Sequence, residues 1–144
     1  MAQIRDVMTS EIKTISPTDT AQQAASFMLS ADTGSIPVVE DNRVIGVITD
    51  RDIAIRAVAD GRGPDCQIRD LMSSDPVCAR VDDDVESVAH RMAEAQVRRL
   101  PVLDQDDRLV GMVSLGDLSR EGKKQAASEA LQGVSAETAQ PQEA

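Results

Sequence analysis

A chain of 144 residues has room for one compact domain, or for two very small ones that share a core. Its formal charge of −10 argues against nucleic acid and anionic membranes as partners, because both attract Lys and Arg stripes and repel net acid. Phe27 is the sole aromatic residue, so any core is aliphatic and the stacking platforms of a single-strand binder are missing.

No apolar leader follows Met1 to Arg5, and the longest apolar runs, around residues 36–39 and 44–48, are far too short to cross a bilayer. A cytoplasmic location is therefore expected. Residues 12–15 form a short strand candidate, and Ser16-Pro17-Thr18-Asp19 is turn chemistry before a helix. Ala21, Ala24, Ala25, Met28 and Leu29 then recur at helical spacing along one apolar face, with Asp19 and Gln22 as its expected cap pair. Two apolar runs, residues 36–40 and 43–49, flank Asp41-Asn42 and predict a hairpin. A second helix carries Ile53, Ala54, Ala57 and Val58 and stops at Gly61, after which Arg62-Gly63-Pro64-Asp65 is a connector.

The pattern then starts again. Ile68-Arg69-Asp70-Leu71-Met72 repeats Ile4-Arg5-Asp6-Val7-Met8 at an offset of 64, and the same offset carries Ile36-Pro37-Val38 onto Leu100-Pro101-Val102. The second copy offers a helix with Val85, Val88, Ala89, Met92 and Ala93 inward and Asp83 with Glu86 as cap pair. Its hairpin spans residues 100–104 and 108–114 around Gln105-Asp106-Asp107, an insertion that moves the offset to 65. A last helix is expected from near residue 115 to about 131, and the small polar tail 134–144 is expected to be disordered. Each unit reads strand, helix, strand, strand, helix, an α/β (α+β) arrangement in which two helices cover one face of a three-stranded sheet. The expected units are residues 1–62 and 66–122, with an extension over 123–144.

Enzymatic constellations are nearly absent, and neither a catalytic residue nor a metal site is expected. His90, the only histidine, lies off the apolar helix face and reads as solvated surface. Cys66 and Cys78 match no zinc or redox spacing and are expected to be reduced thiols. Gly122-Lys123-Lys124 lacks the strand that would precede a phosphate loop. Asp82-Asp83-Asp84 sits where a helix begins, where carboxylates favour the free N–H groups and the positive dipole end.

The informative segment is a strand-to-helix junction present twice, Gly46-Val47-Ile48-Thr49-Asp50-Arg51-Asp52-Ile53 and Gly111-Met112-Val113-Ser114-Leu115-Gly116-Asp117-Leu118. One reading is a helix cap, because Thr or Ser followed three residues later by an acid is a capping pattern. The other is a ligand site: a short carboxylate at a helix start suits a ribose diol, and the hydroxyl and backbone N–H groups can face a phosphate.

This junction, preceded by a hairpin whose first strand carries Ile-Pro-Val or Leu-Pro-Val, resembles the CBS domain, and the tandem pair resembles a Bateman module over residues 4 to about 120. The resemblance implies two repeats packed as a pseudo-twofold disc. It implies two clefts that bind adenosine-containing ligands such as AMP, ADP, ATP, NAD or S-adenosylmethionine. Cleft A would combine Ser114 and Asp117 with Thr14, Ser35 and Ile36, with Arg98 or Arg99 reaching the phosphates. Cleft B would combine Thr49 and Asp52 with Cys78, Arg99 and Leu100, and with charge from Arg51.

Solvated surface is the alternative reading of the two arginines, and the differences between copies imply clefts of unequal affinity, A being the tighter. The implied function is a nucleotide-sensing regulator without catalysis, acting on a separate effector protein, on itself or as a buffer. The rival is an adaptor with vestigial clefts. Limited cover over the helix face with Ile53, Ala57 and Val58 predicts a homodimer.

Overall fold

A computed structural model describes residues 2–122, so the expected helix beyond residue 122 and the tail 134–144 lie outside the described residues. The first copy comprises a 3-10 turn (Ile4–Asp6), helix α1 (Ala21–Ala31), strands β1 (Ser35–Glu40) and β2 (Arg43–Thr49), and helix α2 (Asp50–Asp52), which runs into a π-helical stretch, Ile53–Val58. The second comprises a 3-10 turn (Ile68–Asp70), β3 (Ser73–Ser74), β4 (Ala79–Arg80), α3 (Val85–Ala95), β5 (Arg99–Leu103), β6 (Leu109–Ser114) and α4, which opens at residue 115 and is described to residue 122.

Both predicted hairpins form, β1 against β2 and β5 against β6. The first turns through Asp41 and Asn42, both left-handed at φ 53° and 65°, the backbone that a two-residue hairpin needs and that short polar side chains tolerate. In the second, the Asp104 carboxylate accepts the Asp106 and Arg108 N–H groups and closes the longer loop.

Mixed α/β structure with two three-stranded sheets is thus the architecture, ordered β1-β2-β3 and β4-β5-β6. The sheets exchange material between copies. Strand β3, from the leader of the second copy, pairs with β2 of the first, and Thr9, from the leader of the first, bridges Met112 of the second. The cores follow: Ile68 and Leu71 pack with Ile15, Met28, Val38 and Ile48, while Ile4 packs with Val88, Met92, Val102 and Val113.

Glycine permits each crossing. A Cβ on Gly46 would lie 2.7 Å from the Ser73 carbonyl oxygen, and one on Gly111 would lie 2.7 Å from Met8 Sδ and 2.9 Å from the Thr9 carbonyl oxygen.

Several expectations are corrected. Of residues 12–15 only Ile15 pairs, bridging Val38, because the stretch before it has no ladder partner and instead borders a cleft. The caps sit one residue later than expected. Thr20 caps α1 in a box with Gln23, and Asp84 caps α3, because Asp19 and Asp83 are engaged upstream by the N–H groups of Ser16 and Arg80.

The apolar stripe of α1 is narrower than its pattern, since Ala21, Ala24 and Met28 are buried whereas Leu29 is 85% exposed and Ala25 is also exposed. Ala93 of α3 is likewise exposed. In the π-helical stretch only Ala57 is buried, and Val58 is 71% exposed.

Candidate functional site

The two junctions are built alike. Ser114 N–H donates to Asp117 Oδ2 at 2.9 Å, and Asp117 N–H donates to Ser114 Oγ at 3.1 Å. Thr49 and Asp52 repeat the pair at the same two distances. Capping is therefore real in both copies, with Asp in the role more often taken by Glu. It does not exhaust these groups: each hydroxyl still has its proton to donate, and each carboxylate has a second oxygen outside the cap, that of Asp117 being paired with Arg120.

Beside the second junction lies a cleft of about 410 Å³, within the range of small-molecule sites. Ser35, Ile36 and Pro37 of β1 form its floor, and Ser114 and Asp117 stand at its edge. The segment from Thr9 to Lys13 supplies one wall, and Phe27 and Ala31 of α1 close another. Lys13 Nζ sits 5.6 Å from the centre of the Phe27 ring, at cation–π range. Thr33, Met112, Arg99 and Arg120 complete the lining. Three cations, Lys13, Arg99 and Arg120, thus face two carboxylates, Glu11 and Asp117, in a chain whose formal charge is −10. Locally the cleft favours an anion.

Of the residues expected in cleft A, the structure brings together Ser35, Ile36, Arg99, Ser114 and Asp117. Thr14 is exposed and does not line it. Arg98 does not line it either, although its carbonyl accepts the Leu115 N–H at 2.8 Å and so ties β5 to the start of α4. Lys13, Phe27 and Arg120 were not singled out from the sequence. Arg120 lies three residues beyond Asp117, a helical pairing distance that could have marked it.

The residues expected in cleft B sit differently. Arg51 is exposed, and Leu100 is buried in the second core cluster, as its counterpart Ile36 is in the first. Cys78 is partly buried, and its thiol donates to the Pro76 carbonyl at 3.4 Å. Burial pushes this thiol's pKa up, against the opposing pull of Arg80 and Arg91. At offset 64 Arg91 takes the place of Phe27, and it donates to the Cys78 carbonyl at 2.7 Å and to Asp83 at 3.1 Å. The repeat also puts Val77 and Val97 where cleft A has Lys13 and Thr33, and Ile55 where it has Arg120.

Neither cysteine is in a disulfide, and His90 lies on the surface near Glu94. Among the described residues no cluster of three or more His, Cys, Asp or Glu side chains could hold a metal ion, and no helix is long and apolar enough to cross a membrane.

Comparison with known proteins gives a consistent result. The CBS domain profile matches twice, at residues 4–58 and 68–124. CBS domain-containing protein YhcV of Bacillus subtilis is 40% identical over 136 residues, which cover 94% of this chain and 96% of that one. Among solved structures, Hypoxic Response Protein I with two coordinated zinc ions is 31% identical, with a TM-score of 0.76 over 83% of this chain and 98% of its own. The CBS domain pair of protein MJ0100, in complex with 5-methylthioadenosine and S-adenosyl-L-methionine, is 25% identical, with a TM-score of 0.77 over 87% of this chain and 98% of its own.

Proposed function

The chain belongs to the CBS domain family, and from that premise we propose that it is a regulatory module that binds an adenosine-containing nucleotide and performs no chemistry on it. The observation that carries this reading is the composition of cleft A. A hydroxyl and a carboxylate fixed in one capping box stand beside an apolar floor, and three cations face the same space. Asp117 accepts from the ribose diol, Ser114 and the arginine edge take the phosphates, and the base rests on Ile36 and the backbone of β1.

AMP, ADP, ATP and NAD all present these groups, and the cationic lining favours them over a sulfonium ligand. Phosphorylated ligands occupy cleft A more tightly than cleft B, where Arg91 takes the position of Phe27 and Val77 that of Lys13. The signal passes to a separate effector protein, and the exposed side chains of Ile55 and Val58 support pairing of two chains through that helical face.

Calorimetric titration of nucleotide-stripped protein against AMP, ATP, NAD and S-adenosylmethionine tests this reading. Removing a hydrogen-bonded carboxylate from a part-buried site costs about 1–3 kcal/mol, so Asp117→Ala should weaken the tighter event roughly five- to 150-fold. Asp52→Ala should act mainly on the weaker event. The absence of any binding at millimolar concentration would leave the adaptor role instead.

A further inference from the structure

Asp117 and Asp52 hold the same place in the two junctions, yet their outer oxygens are not in the same state. Asp117 Oδ2 accepts the Ser114 N–H, and Oδ1 is paired with the Arg120 guanidinium one helical turn on. Asp52 Oδ2 accepts the Thr49 N–H in the same way, but one turn on stands Ile55, and Oδ1 has no partner among the described residues. The pairing at Asp117 is lopsided in exposure. The carboxylate is 12% exposed, whereas Arg120 is 73% exposed and also lines cleft A. The arginine is therefore the member that can leave, and it has room within the cleft to do so.

We propose that Arg120 makes cleft A selective for phosphorylated over unphosphorylated nucleosides, by exchanging Asp117 for phosphate as its partner. The inference rests on the nucleotide-binding reading of the cleft and adds a residue-level mechanism to it. In the empty cleft Arg120 occupies Asp117 Oδ1, the oxygen a ribose diol needs. A phosphate offers acceptor oxygens to the guanidinium's planar fork of donors, so a phosphorylated ligand draws Arg120 away from the carboxylate and opens Oδ1 in the same step. A nucleoside without phosphate has to compete with Arg120 for Oδ1 and gives it nothing in exchange. Cleft B, with Ile55 at the matching position, lacks this device.

The sign of the effect then depends on the ligand. An exposed ion pair is worth little, so Arg120→Gln should leave adenosine binding unchanged or strengthen it by up to about fivefold. The same substitution removes a charge-assisted contact to phosphate and should weaken AMP binding by about tenfold or more. Titrating adenosine and AMP into the full chain and into Arg120→Gln reads both effects, with melting curves to verify that the variant is folded.

The expected result is a fall of at least fivefold in the ratio of AMP to adenosine affinity. A smaller fall, in a variant whose wild-type parent binds both ligands, would overturn the proposal while leaving the nucleotide reading intact. Failure of the wild-type chain to bind either ligand at millimolar concentration would overturn both. Arg120→Lys should keep part of the preference, since it retains the charge but not the fork.

Discussion

Replacing Gly111 by alanine should damage the fold and cleft A together. The new Cβ would sit 2.7 Å from Met8 Sδ and 2.9 Å from the Thr9 carbonyl oxygen, where ordinary contact begins near 3.4 Å. The methionine can swing aside, but the carbonyl is held, because it accepts the Met112 N–H at 2.9 Å while Thr9 N–H donates to the Met112 carbonyl at 2.8 Å. Overpacking of this kind costs about 1–3 kcal/mol, and the lower freedom of alanine in the unfolded chain offsets about 0.4–1 kcal/mol. The net loss is roughly 1–2 kcal/mol, or a Tm lower by about 3–8 °C for a chain of this size.

Thermal melts followed by far-ultraviolet circular dichroism measure it. Thr9 to Lys13 form a wall of cleft A, so AMP affinity should fall in the same variant, whereas Gly46→Ala, with its Cβ 2.7 Å from the Ser73 carbonyl, should destabilise the fold comparably and leave cleft A binding intact. A Gly111→Ala protein melting within about 1 °C of wild type would refute the argument that the crossing segment demands glycine.

Thr20→Ala should cost about 0.5–2 kcal/mol, because Thr20 Oγ1 accepts the Gln23 N–H and Gln23 Oε1 accepts the Thr20 N–H, whereas Gln22→Ala should be nearly silent; equal melting shifts would place the cap elsewhere. The Cys78 thiol holds its proton above the ordinary value of 9.0, so the midpoint of its alkylation rate against pH should lie above 9, and a midpoint at or below 9 would refute the burial argument. Because the unfolded chain releases that proton first, the fold should lose stability as pH rises through 9 and above, a slope that Cys78→Ser should reduce in melts compared between pH 8 and pH 10. Light scattering should report a dimer, and a monomer from micromolar to millimolar concentration would contradict pairing through Ile55 and Val58.

Most of the fold was legible because its signals are local. The restart of Ile-Arg-Asp at residue 68, the alternating runs of both hairpins and the Thr/Ser-to-Asp spacing each lie within a few residues, where periodicity and turn chemistry act. The exchange of leaders was not legible, since a repeat in sequence does not say whether Ile4 packs within its own copy or in the other. The caps slipped by one residue because Asp19 and Thr20 are both competent to cap, and only the competing Ser16 N–H decides between them. Half of cleft A was legible for the same reason. Ser114 and Asp117 are marked by spacing, while Lys13 and Phe27 join them only once the two copies are packed together.

The exchanged leaders bear on how the chain comes into being. Residues 4–8 emerge from the ribosome long before their seat, which is built from residues between Ala79 and Leu118. At about 5–20 residues per second the interval is on the order of 5–20 s, during which Ile4, Val7 and Met8 have no hydrophobic shelter. The first copy in turn lacks Ile68 and Leu71 until the connector and second leader have been made, so neither copy can finish its core alone. A chain cut at the connector, near Gly63, would give two fragments that each carry a piece of the other's interior, and they should become ordered only when mixed.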